Sequence, residues 1–253
     1  MGSQSAMKLP VLDFSGDLKH GDERWNALTR EVQGALEGPG CFEAVYNTAV
    51  LESLQKEMFS AIKELFELPQ KTKMKNRSEF YETVKTVAKN ITEFAKLIKL
   101  MVMESYGAEK YFDDLDKSTN YHLLEGLNGH TDKNMVTKLC PDQVGGLEVQ
   151  FKDGSWVPVV TSEGSLVVAI GESFMEWSNR RLHPVRHRVM LRGYEDRYSC
   201  GIFSIPGRNV LIKTPKELVD EDHPLLFKPF DYHDYYKFYK INNEYGLKEF
   251  AGN

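Results

Sequence analysis

Between about residues 20 and 107 the apolar positions recur every three or four residues. Trp25, Leu28, Val32 and Leu36 form one stripe, ended by the "GPG" at 38–40. Leu51, Leu54, Met58, Ile62 and Leu65 form a second, running toward Pro69, and Val84, Val87, Ile91, Phe94, Ile98 and Met101 form a third, long one that stops at Gly107. This spacing gathers side chains on one face of an α-helix, so three helices with core-facing stripes are predicted. Ahead of them, "LPVLDFS" reads as a short strand with a turn after it.

From about residue 120 the period falls to two. In "LEVQF", Leu147, Val149 and Phe151 alternate with Glu148, Gln150 and Lys152, and the turn "KDGSW" leads into another β-rich run, the pattern of a hairpin. "GSLVVAIGESF" reads as one continuous apolar strand buried on both faces, and "HRVML" and "RYSCGIFSIPG" supply two more. No helical stripe is expected to interrupt the series before "TPKELVDEDHP". Several strands spaced by Gly and Asp turns indicate a sandwich or barrel of the jelly-roll kind. The prediction is a mixed α+β chain, with a mainly helical region with a first strand over 1–119, a jelly-roll core over 120–212 and a helical segment over 213–253.

Composition narrows the partners. With 253 residues, 41% hydrophobic and 27% charged, the chain has ample material for a core. The formal charge of -5 speaks against nucleic acid, which wants a basic face; the one basic cluster, "KTKMKNR" at 71–77, is expected to solvate a helix end. Cys41, Cys140 and Cys200 lie far apart without C-x-x-C spacing, so neither a disulfide framework nor a structural zinc site is suggested. The start carries no apolar signal region, and no apolar run approaches the length of a membrane span. The expectation is a monomer in the cytoplasm, with no membrane or nucleic-acid partner.

The candidate chemistry begins in "NGHTDKNMVTKL", where His130 and Asp132 stand two apart at the mouth of an apolar run. On extended backbone such residues project to the same side, a chelating pair in search of a third ligand. His183 and His187 follow in "RRLHPVRHRVM". Their i,i+4 spacing would serve a helix, which Pro184 makes improbable, so they are not expected to act together. His187 heads the strand "HRVML", whereas His183 precedes Pro in a turn. A His, Asp, His set leaves one face of an octahedral ion open, the arrangement of non-haem Fe(II) oxygenases. Ten residues on, Arg197 and Ser199 share a strand face, a guanidinium beside a hydroxyl that suits a carboxylate. A zinc hydrolase using the same three ligands, and a cupin-like barrel that binds a metal or small ligand without turnover, are the readings from other classes.

His-x-Asp, a distal His in "HRV" and Arg-x-Ser, in that order, resemble the plant Fe(II)/2-oxoglutarate-dependent dioxygenases. "LPVLDFS", "GCFEAVY", "ELFELPQKTK", "GGLEV", "WSNRRLHPVRHRVM", "SIPG" and "ELVDEDHPLLFKPFDY" are similar to one branch, which includes the glucosinolate side-chain oxygenases and deoxypodophyllotoxin synthase. The resemblance implies a double-stranded β-helix (jelly-roll, cupin-like) with the N-terminal helices packed outside it. It implies that His130, Asp132 and His187 bind Fe(II), that Arg197 and Ser199 hold the distal carboxylate of 2-oxoglutarate, and that Val189 lines the co-substrate pocket. The implied reaction consumes dioxygen, with ascorbate in support, releases succinate and carbon dioxide, and oxidises a C–H bond of a small plant specialised metabolite. Hydroxylation is the default, with ring closure, desaturation and demethylation open. Against that branch the chain looks short at two junctions, Glu79–Phe80 and Leu124–Glu125, the second where relatives carry a co-substrate tyrosine. The aromatic cluster "FDYHDYYKFY" is expected to form an amphipathic terminal helix, with a lid as the other reading, and Phe174, Met175 and Trp177 are expected near the pocket.

Overall fold

In the computed structural model, which describes residues 8–46, 48–67, 77–116, 129–141, 144–190, 197–242 and 247–252, the predicted stripes become helices at the expected places. β1 (Val11–Asp13) leads to α1 (Glu23–Glu37), which buries Trp25, Leu28, Val32 and Leu36. α1 starts where the Asp22 side chain accepts the Trp25 N–H at 2.7 Å, satisfying an orphan donor of its first turn. It ends at "GPG" for a steric reason: Gly40 has φ +81°, and a Cβ there would meet the His183 carbonyl oxygen at 2.1 Å. That close approach pins the His183 loop to the end of α1, where the His183 N–H donates to the Leu36 carbonyl.

After β2 (Cys41–Val45) come α2 (Thr48–Glu67), α3 (Arg77–Ser105) and the short α4 (Phe112–Asp116). α3 packs on α1, α2 and the strands β3 (Val136–Pro141) and β8 (Ser199–Ser204), so the helices form a layer outside the larger sheet. Its Ile91, Phe94, Ile98 and Met101 are fully buried, each worth about 1.5–3 kcal/mol in area removed from water. The Glu79–Phe80 junction falls inside α3, at positions whose side chains are outside those described. Leu124 and Glu125, and residues 71–76 of the basic cluster, lie outside the described residues.

The larger sheet runs β1-β2-β6-β3-β8, with β6 (Leu166–Ile170) between β2 and β3; apart from the parallel β1–β2 pair its ladders are antiparallel. The smaller sheet runs β5-β4-β7, from Trp156–Pro158, Leu147–Gln150 and Arg186–Val189, and the predicted hairpin is its β4–β5 pair. A second apolar cluster, including Leu147, Val149, Val167, Ala169 and Val185, joins residues of the two sheets. This is the mixed α+β jelly-roll expected. A small ribbon of β9 (Leu211–Ile212) and β10 (Phe230–Asp231) leads to α6 (Tyr232–Asn242) and α7 (Leu247–Ala251). "KEL" at 216–218 forms only a 3₁₀ turn.

Two expectations are corrected here. "GSLVVAIGESF" is not one strand: β6 ends at Ile170 and a helix, α5 (Glu172–Trp177), begins two residues later. The break is at Gly171, where a Cβ would meet the Asn134 carbonyl oxygen at 2.2 Å. Only glycine lets α5 start so close to the segment before β3. Phe174 and Trp177, expected near the pocket, pack in the main core instead, and Trp177 stacks obliquely near Tyr106. "FDYHDYYKFY" packs as the amphipathic helix, with Tyr232 and Tyr235 buried.

α5 also buries an isolated acid. Glu176 is fully buried, and neither carboxylate oxygen has a hydrogen-bond partner among the described residues. Burial pushes its pKa up to about 8. A carboxyl whose folded pKa is raised keeps its full stability below the unfolded value near 4.5 and loses it as pH climbs to the folded one. Wild-type stability is therefore expected to fall by about 3 kcal/mol more than that of Glu176→Gln between pH 4.5 and 7. Urea unfolding of both proteins at a series of pH values measures the difference, and parallel curves would contradict it.

Candidate metal centre and co-substrate site

The two histidines meet through their main chains. His130 and His187 form an isolated antiparallel bridge, each N–H donating to the other's carbonyl, at 3.0 and 2.9 Å. Their rings lie 4.5 Å apart, tilted by 53°. His187 is the second residue of β7, opposite Val149 of β4, so the smaller sheet holds it and the bridge holds His130 beside it.

Asp132 does not continue a strand from His130, contrary to the expectation of a shared strand face. β3 begins only at Val136. The Asp132 carbonyl accepts the N–H of Glu172, at the start of α5, rather than one from a neighbouring strand, at 2.8 Å. The carboxylate still reaches both rings: Oδ1 lies 3.5 Å from His130 Nε2 and 3.9 Å from His187 Nε2. The ligand atoms of the three residues all fall within 4.8 Å of one another, so one ion can be held by the set.

Burial is uneven across the set. The Asp132 and His187 side chains are nearly enclosed, while that of His130 is 36% exposed, which opens the centre on one side. Burial pulls the Asp132 carboxyl up, but a hydrogen bond with His130, the nearby His187 and the Thr137 hydroxyl outweigh it and leave the group below its usual value. Burial lowers the His187 imidazole against the pull of Asp132. A neutral imidazole and an ionised carboxylate are the forms that bind metal. Thr137, fully buried on β3, donates its hydroxyl to Asp132 Oδ2 and so leaves Oδ1 facing the histidines. The His187 Nδ1 faces the Val185 carbonyl at 3.4 Å, which leaves Nε2 as the ligand atom.

Arg197 and Ser199 stand together, but not on one strand face as expected, because β8 begins only at Ser199 and Arg197 precedes it. Arg197 Nη1 donates to Ser199 Oγ at 3.2 Å, and Nε donates to the Gly145 carbonyl. The next residue, Gly146, accepts the Met190 N–H at 2.8 Å, so Arg197 is moored beside the Val189 end of β7. Val189 is partly buried opposite Leu147. His183 takes no part in the cluster; it is held against the end of α1.

Reasoning from sequence missed three neighbours: Thr137, Glu172 and Tyr232. Burial raises the Tyr232 phenol, with Tyr236 and the Asp132 carboxylate adding to the shift; α6 reaches the Asp132 loop through Tyr235, whose hydroxyl donates to Glu172, the residue whose N–H the Asp132 carbonyl accepts. No spacing rule joins a residue at 232 to one at 132. Thr137 carries a weak signal, since the alternation of β3 turns it to the same side as Leu139.

Two family models match the chain: the 2OG-Fe(II) oxygenase superfamily matches residues 99–206, and the N-terminal model of non-haem dioxygenase in morphine synthesis matches 9–124. The probable 2-oxoglutarate-dependent dioxygenase AOP1 of Arabidopsis thaliana is 36% identical over 294 residues, covering 93% of this chain and 97% of that protein. The chain belongs to the 2-oxoglutarate-dependent dioxygenases. Among solved structures, this dioxygenase is similar to the rice dioxygenase for auxin oxidation (TM-score 0.81, 26% identity), covering 97% of this chain and 100% of that one. The Arabidopsis thaliana enzyme of that kind, in complex with 2-oxoglutarate, matches at TM-score 0.74 and 24% identity, covering 85% and 99%.

The dioxygenase is an oxidoreductase that uses Fe(II), 2-oxoglutarate and dioxygen. The match to AOP1 spans 294 positions against 253 residues here, so more than forty positions of that relative have no counterpart in this dioxygenase. No helix among its described residues is long and apolar enough to cross a membrane.

Proposed function

We propose that His130, Asp132 and His187 hold the Fe(II), that Arg197 and Ser199 bind the distal carboxylate of 2-oxoglutarate, and that Val189 lines the co-substrate pocket. The substrate is a small, partly apolar plant specialised metabolite that gains a hydroxyl at a C–H bond. The convergence of one imidazole from a bridge residue, one from β7 and a carboxylate between them carries this reading. When bound, the iron would activate dioxygen, which is the oxidant: one oxygen atom ends in succinate as 2-oxoglutarate loses carbon dioxide, and the other oxidises the substrate C–H bond.

The chain's own part is orientation. Arg197 neutralises and fixes the far end of the co-substrate, and Ser199 adds a second donor beside it. The enclosed side of Asp132 and His187 keeps water from the ligands, and the side opened by His130 is where substrate enters. We place the dioxygenase in the cytosol as a monomer, and its acidic net charge argues against nucleic acid as a partner.

Anaerobic titration of the purified protein with Fe(II) and then 2-oxoglutarate tests the site. A visible charge-transfer band of the chelated keto acid is expected; iron binding without the band would sink the co-substrate assignment. Thr137→Val keeps the shape and removes the hydroxyl on Asp132 Oδ2, so Fe(II) affinity is expected to drop about tenfold. The same titration reads it, and an unchanged affinity would mean that Thr137 does not orient the ligand.

A further inference from the structure

We propose that Glu172 is a positioning residue that locks the iron-binding loop to the C-terminal helix α6, so that α6 helps set iron affinity; this rests on the reading of His130, Asp132 and His187 as ligands. The loop around Asp132 has no strand ladder to hold it, and the first turn of α5 takes that part. Three consecutive residues are gripped there. The Thr131 hydroxyl donates to Glu172 Oε1 at 2.5 Å, the Asp132 carbonyl accepts the Glu172 N–H, and the Lys133 ammonium donates to Glu172 Oε1 while the Lys133 carbonyl accepts the Ser173 hydroxyl at 2.6 Å.

The other carboxylate oxygen faces α6. Tyr235, fully buried, donates its hydroxyl to Glu172 Oε2, and the Lys133 ammonium sits 4.5 Å above the Tyr239 ring. One carboxylate therefore receives donors from both sides of the metal ligand and from a helix a hundred residues further along the chain. The side chains of Lys133 and Glu172 are each only 12% exposed, so these charge-assisted bonds are poorly screened. Main-chain anchors at 131, 132 and 133 determine where the Asp132 Cα sits, and a carboxylate can reach both histidines only from a narrow range of Cα positions. Thr137 fixes the rotation of the carboxylate, and Glu172 fixes its origin.

The test is Fe(II) affinity, read anaerobically from the charge-transfer band in excess 2-oxoglutarate, together with thermal unfolding of the metal-free protein. Glu172→Gln is expected to weaken Fe(II) binding about tenfold or more. Tyr235→Phe, which removes one oxygen atom and decides the matter should Glu172→Gln fail to fold, is expected to weaken it severalfold with little change in the unfolding temperature of the metal-free protein. The double variant is expected to bind no worse than Glu172→Gln, because both changes act through one carboxylate. Wild-type Fe(II) affinity in both single variants, whatever happens to their unfolding temperature, would overturn the proposal and leave Glu172 a structural contact. Additive losses in the double variant would overturn the coupling to α6. Failure of the unsubstituted protein to bind Fe(II) at all would overturn the iron-site reading and this inference with it, whereas Fe(II) binding without the band would sink only the co-substrate assignment and leave this inference to be read from direct Fe(II) titration.

Discussion

His187→Ala abolishes oxygen-dependent succinate release and weakens Fe(II) binding by roughly a hundredfold or more, beyond the upper end of what losing a mere supporting partner costs. His187 is held by the strongest scaffold of the three ligands: β7 pairs it with Val149, and the bridge to His130 uses both of its main-chain groups. Those bonds do not involve the ring, so the alanine protein keeps its sheet and loses only the ligand. Succinate formation at saturating 2-oxoglutarate and Fe(II) titration check the two halves separately. His183→Ala serves as the control, since His183 is occupied against the end of α1; near-normal turnover is expected there, and loss of iron in that protein would show that the wrong histidine had been chosen.

Arg197→Ala raises the 2-oxoglutarate concentration needed for half-maximal turnover by about a hundredfold while Fe(II) alone still binds. A charge-assisted hydrogen bond is worth about 1.5–3 kcal/mol, and the upper figure corresponds to that factor. The Arg197 side chain is moored to Gly145 and Ser199 rather than to any metal ligand, which is why the two effects separate. Arg197→Lys keeps the charge but not the fork, and an intermediate requirement is expected. Co-substrate titrations of both variants measure it; an unchanged requirement in Arg197→Ala would remove the anion clamp from the mechanism.

The helical half of the molecule was legible because α1 and α3 are one-sided: Ile91, Phe94, Ile98 and Met101 are buried at the spacing the helix demands, and "GPG" marks a real stop. The candidate ligands were legible as residue types in an order. Their geometry was not, because it depends on contacts between distant segments. The chelating pair was inferred from strand alternation, yet His130 is placed by a single bridge and Asp132 by a helix start. α5 was hidden for a related reason: β6 and α5 join into one apolar run, and the only sign of the break is Gly171, whose role is visible once Asn134 is seen against it. Glu172 and Tyr235 could not be paired from sequence at all, since neither position belongs to a motif with a fixed interval.

The bridge between His130 and His187 means that the imidazoles are already neighbours in the metal-free chain, because main-chain bonds, not the ion, bring them together. Folding itself has already met the entropic cost of gathering the chelate. With these residues as ligands, iron would leave and return without the β-framework melting, and the amide hydrogens of these two residues are expected to exchange slowly with solvent even when no metal is bound.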